Sequence, residues 1–325
     1  MVATPPPPKT HTRKALASYA CFLLLTAGFG CSLHSLKHDT QSLPSLPSYQ
    51  HIAKKRVDAS ELPSLNVSAK SIIVLNAQTG NTLYEYNADE KLPIASTQKL
   101  LSALVALSEG PLSELIPTSL SAALEPPSKI GLKWQQSYSR ESLLQASLIC
   151  SANDAATALS EAQNKTTFLK KMNALAKSYG ATNSWFINPH GLDTPGQFST
   201  ARDLAKIAFH AYRNPFIRLT TNQLTQKFHY QPYKWSTLRN TNRLVRTPHF
   251  NGLKGGFTHL AQKTLVASAK KGTQEVLIVL LNAHPLAINQ EAQIIWEWAL
   301  RQEKKKGREK QNKQAKMGLK LIIEK

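Results

Sequence analysis

One stretch decides how the rest of this 325-residue chain is interpreted: Pro93-Ile94-Ala95-Ser96-Thr97-Gln98-Lys99-Leu100-Leu101. A helix is predicted from about Ser96 to Leu107, so Ser96 and Lys99 share one face near the positive end of the helix dipole. A serine hydroxyl is a weak nucleophile until a base takes its proton. A lysine in a dry cleft beside other cations is neutral enough to act as that base, and the apolar neighbours suit its burial. The stretch therefore predicts a nucleophile at Ser96 and a general base at Lys99.

The Ser-x-x-Lys pattern is weak evidence by itself, because the chain contains a second copy. Ser268-Ala269-Lys270-Lys271 has the same letters in a predicted strand. A second motif, Ser151-Ala152-Asn153, follows the first at a junction in a helical region. Its hydroxyl can relay protons between Lys99 and a leaving group, and its amide can bind a substrate backbone. Alone, this motif fits a helix cap or a turn equally well.

A third motif, Lys254-Gly255-Gly256-Phe257-Thr258, stands just before the predicted late strands. A lysine there can hold a substrate carboxylate, and Gly255 and Gly256 let a substrate backbone approach a strand closely. The amide of Phe257, with that of Ser96, can form an oxyanion hole. In isolation this motif also fits a simple glycine turn. The three motifs in this order are far more specific than any one of them.

The remaining pattern predicts strands at both ends of a domain, with helices between them, which is typical of an α+β fold. A hairpin is predicted from short strand signals at 71–76 and 82–86 on either side of a Gly-containing turn. The other predicted elements are helices at 140–162, 166–179, 200–213 and 290–301, and strands at 263–269 and 275–282.

The N-terminus has the parts of an export signal. A basic region at residues 9–14 precedes a charge-free, mostly apolar run from Ala15 to Gly30 that is short for a membrane-spanning helix. Residues 1–31 are therefore interpreted as a signal peptide or N-terminal anchor, and the protein as exported to the periplasm or the outer face of the membrane. Cys31 is a candidate lipidation site, although Gly28 and Phe29 depart from the usual lipobox. Ordinary cleavage nearby and an uncleaved anchor remain alternatives.

The rest of the chain divides into three predicted parts. Residues 32–65 form a linker rich in Pro and Ser, residues 66–301 form the catalytic domain, and residues 302–325 form a basic tail. Residues 301–325 carry ten Lys or Arg against three Asp or Glu, out of a formal net charge of +20. Such a tail suits an anionic surface such as membrane lipid, or a solvated end.

Two other classes of protein are disfavoured by the sequence. Ten histidines and three cysteines show neither HExxH nor CxxC spacing, so no metal site and no cofactor are predicted. Nucleic acid is not predicted as a partner, because much of the charge lies in the tail and no usual recognition motif is present.

The order Ser-x-x-Lys, Ser-x-Asn, Lys-x-Gly resembles the low-molecular-mass penicillin-binding proteins that act as D-alanyl-D-alanine carboxypeptidases. The resemblance covers roughly residues 68–300 and includes further blocks: TGNTL at 79–83, MNALA at 172–176, NPHGL at 188–192 and STARDLA at 199–205. It implies a β-lactamase/DD-peptidase-like α+β fold, with an antiparallel sheet flanked by helices and a helical subdomain. The implied substrates are peptidoglycan stem peptides ending in D-Ala-D-Ala, and the implied covalent inhibitors are β-lactams.

The resemblance also implies a role for each motif residue. Ser96 is acylated, Lys99 is the general base, Ser151 relays a proton to the departing D-alanine, Asn153 positions the acyl group and Lys254 balances charge in the cleft. The amides of Ser96 and Phe257 stabilise the oxyanion. The chain departs from the family at Gly255, where a threonine hydroxyl usually helps to bind the terminal carboxylate, and whether Thr258 compensates is open. It also has too few residues after the catalytic domain for the β-rich domain of many relatives.

Three alternatives remain at this stage. A class A β-lactamase needs a Glu-x-x-Leu-Asn loop between the second and third motifs, and the only such letters, ELPSLN at 61–66, precede Ser96. A catalytically weak or inactive protein that binds penicillin or cell wall is suggested by Gly255. A DD-endopeptidase shares the same chemistry, and the motifs do not distinguish it from a carboxypeptidase.

Overall fold

The computed structural model describes residues 67–231 and 234–302. The predicted signal segment with Cys31, the linker up to residue 65 and residues 303–325 of the predicted tail lie outside these described residues. Across the part of the chain that the structure describes, no helix has the length and apolar character needed to cross a membrane. The predicted boundaries of the catalytic domain stay predictions.

A five-stranded antiparallel sheet forms the centre of the fold. Its strand order is β2-β1-β9-β8-β7. The strands are β1 (Ser71–Asn76), β2 (Thr82–Tyr86), β7 (Phe250–Thr258), β8 (Gln262–Lys271) and β9 (Gln274–Ala283). The predicted hairpin is confirmed as β1 and β2, and its turn is closed by Asn76 Oδ1, which accepts hydrogen bonds from the amides of Gln78 and Thr79. The predicted late strands are confirmed as β8 and β9.

The sheet separates two apolar cores. Alternate residues of a strand point to opposite faces, so Ile73 and Val279 belong to one core while Ile72 and Ile278 belong to the other. The first core lies against most of the helices, and the second is covered by the last described helix, α8, at residues 288–302. Because both faces are covered, β8 and β9 read as continuous apolar runs rather than alternating strands.

The helices and short strands that complete the fold lie between β2 and β7. Most helices begin at a capping side chain; for example, Thr200 Oγ1 accepts a hydrogen bond from the amide of Asp203. The elements are α1 (Lys99–Ser108), β3 (Leu115–Pro117), α2 (Leu120–Leu124), β4 (Ser137–Ser139), α3 (Arg140–Ile149), α4 (Asn153–Glu161), α5 (Lys165–Ser178), α6 (Ala201–Arg213), α7 (Pro215–Thr221), β5 (Thr225–Gln231) and β6 (Lys234–Arg239). The α+β class and the antiparallel sheet flanked by helices are confirmed.

Two sequence predictions were wrong in detail. The helix predicted at 140–162 is two helices, because the chain breaks at residues 150–152, where Ser151 has a φ of +66° that a right-handed helix cannot include. The set of predicted late strands was incomplete, because the Lys254–Thr258 motif lies inside a further strand, β7, just before β8. Gly255 and Gly256 pair there with Leu265 and Thr264 of β8, so they are strand residues rather than a turn.

Candidate active site

Ser96 lies on a short 3-10 turn, Ala95–Gln98, that leads directly into α1. Ala95 has a positive φ of +48°, an uncommon conformation for a residue with a side chain. The turn is held from outside by Gly191, whose φ is +88°; a Cβ atom on it would lie 2.0 Å from the Ala95 carbonyl oxygen. The close backbone contact requires glycine at position 191 and fixes where the Ser96 hydroxyl is presented. Ser96 is partly exposed.

The Lys99 side chain is fully buried and contacts three oxygen atoms. Its Nζ lies 2.9 Å from Ser96 Oγ, 2.8 Å from Asn153 Oδ1 and 2.7 Å from the His190 carbonyl oxygen. The last two oxygens can only accept hydrogen bonds, so a neutral amine gives its two N–H groups to them and turns its lone pair toward Ser96. This geometry lets Lys99 accept the proton of the Ser96 hydroxyl.

The electrostatics of Lys99 favour the neutral amine. Burial holds the pKa of Lys99 well below its ordinary value of 10.5, and the charge of Lys254 lowers it further. Glu125 and Asp154 act in the opposite direction. The balance leaves a buried lysine that releases its proton far more readily than a lysine in water.

The second motif is assembled at the break between α3 and α4. Asn153 is the first residue of α4, and its side-chain oxygen accepts a hydrogen bond from Lys99. Its side-chain Nδ2 donates to the carbonyl oxygen of Pro126 at 3.1 Å, and its backbone N–H donates to the carbonyl oxygen of Ser128. Ser151 is 7 % exposed and lies two residues earlier, in the left-handed region. The break therefore brings the second motif to the cleft beside Lys99.

Asp154 anchors the loop opposite the second motif. Its carboxylate accepts hydrogen bonds from the amides of Ile130, Gly131 and Leu132, at 2.8 Å to Gly131 and 3.0 Å to Leu132. Asp154 is itself fully buried. A charged acceptor shared by three backbone donors fixes the loop relative to Asn153. The residues around Asp154 do not predict this role, because its three donors are more than 20 residues away in the sequence.

Lys254 is the buried residue of the third motif. Its Nζ donates to the Gly255 carbonyl oxygen at 3.0 Å, and burial lowers the pKa of Lys254 to about 7. A substrate carboxylate nearby would favour the charged form and raise this pKa. Lys254 is therefore placed to take up a proton as an anionic group enters the cleft.

The two glycines of the third motif differ in their surroundings. A Cβ atom on Gly256 would lie 2.7 Å from the Ser96 amide nitrogen and 2.9 Å from Ala95 Cβ. A Cβ atom on Gly255 would find its nearest neighbour, the Thr264 carbonyl oxygen, at 3.8 Å. Gly256 therefore allows β7 to lie against the turn that carries Ser96, whereas position 255 has room for a side chain.

Thr258 makes contacts that keep it in the β7–β8 turn. Its Oγ1 donates to Asp193 Oδ1 at 2.7 Å and accepts from the Ala261 amide at 3.0 Å. The hydroxyl is three residues along the strand from Gly255 and is engaged by Asp193. Thr258 therefore joins two loops and does not stand in for the hydroxyl missing at position 255.

His190 and Glu125 are site residues that the motif analysis did not assign. The His190 carbonyl holds Lys99; its ring Nδ1 accepts from the Leu192 amide at 3.2 Å, and its Nε2 lies 3.6 Å from Glu125 Oε2. Thr157 donates to the other oxygen of Glu125 at 2.8 Å. Burial lowers the pKa of His190 to about 3, so the ring is neutral. The NPHGL block pointed to this segment but not to its contacts.

The second copy of the Ser-x-x-Lys pattern lies elsewhere. Ser268 is fully buried in the interior of β8, and Lys271 is exposed at the end of that strand. Residues three apart in a strand point to opposite faces, so the pair cannot act together. The two copies have the same sequence pattern, but one lies at the start of a helix and the other lies in a strand.

The fold agrees with the comparisons with known proteins. The model of peptidase family S11, D-alanyl-D-alanine carboxypeptidase, matches residues 55–285. The chain belongs to this family. The family motifs Ser-x-x-Lys, Ser-x-Asn and Lys-x-Gly are the three segments that surround Lys99 and Ser96 in the structure.

Curated relatives within the family carry two different names. The chain is 34% identical to D-alanyl-D-alanine carboxypeptidase DacF of Bacillus subtilis, across 70% of this chain and 60% of DacF. It is 34% identical to a D-alanyl-D-alanine endopeptidase of Pseudomonas aeruginosa, across 67% of this chain and 72% of that protein. The chain thus spans less than two thirds of the length of DacF.

Solved structures of family members have the same fold. The D-alanyl-D-alanine carboxypeptidase from Mycobacterium tuberculosis H37Rv matches with a TM-score of 0.71 and 30% identity, across 74% of this chain and 94% of that chain. Penicillin-binding protein D2 from Listeria monocytogenes in the cefotaxime-bound form matches with a TM-score of 0.65 and 30% identity, across 74% and 100% of the two chains.

Proposed function

We propose that this protein is a serine DD-carboxypeptidase that removes the terminal D-alanine from peptidoglycan stem peptides through an acyl-enzyme at Ser96. One observation carries the proposal: the buried Lys99 Nζ lies 2.9 Å from Ser96 Oγ, and its other two partners are oxygen acceptors. The match to relatives named D-alanyl-D-alanine carboxypeptidase supports the substrate class.

In the acylation step, Ser96 Oγ attacks the carbonyl carbon of the penultimate D-alanine and its proton passes to Lys99. The negative charge that develops on the carbonyl oxygen is stabilised by the amides of Ser96 and Phe257. Gly256 supports this role, because it lets the strand carrying Phe257 lie against the Ser96 amide. The bond to the terminal D-alanine then breaks, and its nitrogen receives a proton relayed through Ser151.

In the second step, water attacks the ester on Ser96 and releases the shortened peptide, returning the proton to Ser96 Oγ. Lys254 binds the terminal carboxylate during the first step as an ammonium group. Asn153 positions the acyl chain while it holds Lys99. The two lysines therefore differ in role: Lys99 acts as a neutral amine, and Lys254 acts as an ammonium cation.

Gly255 sets this chain apart within the proposed mechanism. A hydroxyl at that position would add one hydrogen bond to the terminal carboxylate, and such a bond to a charged group contributes about 1.5–3 kcal/mol. We propose that the protein binds its substrate carboxylate more weakly for this reason. Gly256, Phe257 and Thr258 complete the strand segment that faces the substrate.

A second candidate is a DD-endopeptidase, favoured by the relative of that name from Pseudomonas aeruginosa. Both activities use the same acyl-enzyme chemistry and differ in the group that leaves. β-Lactams are proposed as covalent inhibitors, supported by the match to a penicillin-binding protein solved with cefotaxime. Export is proposed from the sequence of residues 1–31, and contact with a membrane surface from that segment or the basic tail.

The test is to incubate the protein with a stem pentapeptide and follow its mass. Loss of one D-alanine supports the carboxypeptidase, cleavage of a cross-linked dimer alone supports the endopeptidase, and no cleavage of either contradicts both. Ser96→Ala should abolish labelling by a fluorescent penicillin. The control is Ser268→Ala in the second copy of the pattern, which should label like wild type; labelling of Ser96→Ala would show that the nucleophile is wrongly assigned.

A further inference from the structure

A cavity of about 620 Å³ opens between the loop at 130–136 and the hairpin formed by β5 and β6. Its walls include the backbone of Ile130 and Gly131 on the loop, and the side chains of Tyr230 and Trp235 on the hairpin. None of the three motifs contributes to this lining. The cavity is therefore separate from the cleft that holds Ser96.

The loop wall of the cavity is fixed to the active site by hydrogen bonds. Tyr230 Oη donates to the Ile130 carbonyl oxygen at 2.6 Å, which joins hairpin and loop. On the other side of the loop, the Asp154 carboxylate binds the Ile130 and Gly131 amides. Asp154 directly follows Asn153, which contacts Lys99. One side of the loop thus lines the cavity, and the other is anchored beside the second motif.

The cavity is basic and has an aromatic wall. Lys133 and Lys234 line it and are both exposed, and Trp235 is 52% exposed. Lys227 lies outside this lining, with its Nζ 5.0 Å from the centre of the Trp235 ring. Among the described residues that line the cavity, none is Asp or Glu. Exposed ammonium groups on both walls suit a carboxylate, and the indole suits the aliphatic part of the same ligand.

We propose that this cavity binds a carboxylate-bearing residue of the peptide substrate, on the acyl side of the bond that is cleaved. The inference rests on the proposed function and deepens it by naming a second anionic anchor. Lys254 holds the terminal carboxylate at one end of the cleft, and Lys133 and Lys234 hold an internal carboxylate beyond Asn153. The protein then selects acidic stem peptides over peptides that carry only the D-Ala-D-Ala end.

The experiment compares two substrates in steady-state hydrolysis. One is diacetyl-L-Lys-D-Ala-D-Ala, which has no internal carboxylate, and the other is an amine-acetylated pentapeptide with a γ-linked D-Glu. The variant is Lys133→Gln with Lys234→Gln, and the matched control is Lys170→Gln with Lys177→Gln, two exposed lysines of α5.

The double variant at the cavity should raise KM for the acidic pentapeptide about tenfold, leave its kcat within about twofold, and leave both constants for the diacetyl peptide unchanged. The α5 control should match wild type with both substrates. Equal KM values for wild type and the cavity variant on the acidic peptide would overturn the inference while leaving the carboxypeptidase assignment intact.

A calorimetric titration separates the two proposals without turnover when Ser96→Ala is added to both proteins that are compared. Wild type should bind the acidic pentapeptide more tightly than the same peptide with its D-Glu carboxylate amidated, and the cavity variant should bind both alike. If the acidic pentapeptide binds more tightly than its amidated form but neither substrate releases D-alanine, the proposed function is overturned and the inference about the cavity stands. Equal binding of the two peptides by wild type would overturn the cavity as a carboxylate site.

Discussion

Substituting alanine for each of the two neighbouring glycines of β7 should slow acylation strongly at Gly256 and hardly at all at Gly255. In Gly256→Ala, the new Cβ atom would lie 2.7 Å from the Ser96 amide nitrogen, where ordinary contact begins near 3.4 Å. The strand and the Ser96 turn must therefore separate by about 0.7 Å. Two of the three nearest atoms are the Ser96 nitrogen and Ala95 Cβ, which cannot rotate away.

The expected magnitude follows from that displacement. Misplacing reacting groups by the order of 1 Å costs roughly 100-fold in rate, and weakening an oxyanion donor costs a similar factor. Acylation of Gly256→Ala by a fluorescent penicillin should thus be about 100-fold slower. Its free energy of unfolding should fall by about 1–3 kcal/mol, the usual cost of a side chain forced into a packed site.

Gly255→Ala is the matched control, since its Cβ atom meets nothing closer than 3.8 Å. It should acylate within about threefold of wild type. The assay is the second-order rate constant of penicillin labelling, followed in gels, with thermal unfolding to show that each variant is folded. A folded Gly256→Ala that labels at the wild-type rate, or a Gly255→Ala that loses as much, would refute the inferred contact between β7 and the Ser96 turn.

Three further changes test other parts of the site. Gly255→Thr fits the free space and should speed acylation by roughly tenfold or more if the missing hydroxyl matters; an unchanged labelling rate would show that it does not. The folded pKa of Lys254 is about 7 and its ordinary value is 10.5, so the unfolded chain binds more protons between these pH values and stability rises with pH there. Lys254→Met should lower the slope of the free energy of unfolding against pH by about 1.4 kcal/mol per pH unit in this range. The measurement is urea unfolding at a series of pH values, and an unaltered slope would contradict a buried, neutral Lys254. Asp154→Ala leaves three loop amides unpaired and should lower the free energy of unfolding by about 3 kcal/mol, with Asp154→Asn partly restoring it; a loss below about 0.5 kcal/mol would contradict the anchoring role.

The elements that the sequence could predict are those with a local signal. Two short strand signals around a Gly-containing turn predicted β1 and β2 to the residue, and the motif order predicted that Ser96, Lys99 and Asn153 share one cleft. The junction at Ser151 was not predicted to end the helix, because no Gly or Pro occurs at residues 148–154 and the positive φ falls on a serine.

The contacts that hold the site together have no local signal. The amides that Asp154 binds are more than 20 residues away, and the acidic partner of the His190 ring is Glu125. Glycine is compatible with turns and strands alike, so the letters of Lys254-Gly255-Gly256 fit a turn as well as the strand that the structure shows. Which of the two glycines touches the Ser96 turn depends on the register of β7 against β8, and that register involves the whole sheet.

The order of strands in the sheet has a consequence for how the protein is made. β1 is the first strand along the described chain, and its neighbour β9 is the last, so Ser71 pairs with Leu281 about 200 residues later. Such long-range pairings form late and slow folding. A chain still emerging from the ribosome carries Ser96 and Lys99 but has neither β7 nor the strand that completes the sheet centre. Ser96 therefore acquires its surroundings only after almost the whole domain has been synthesised.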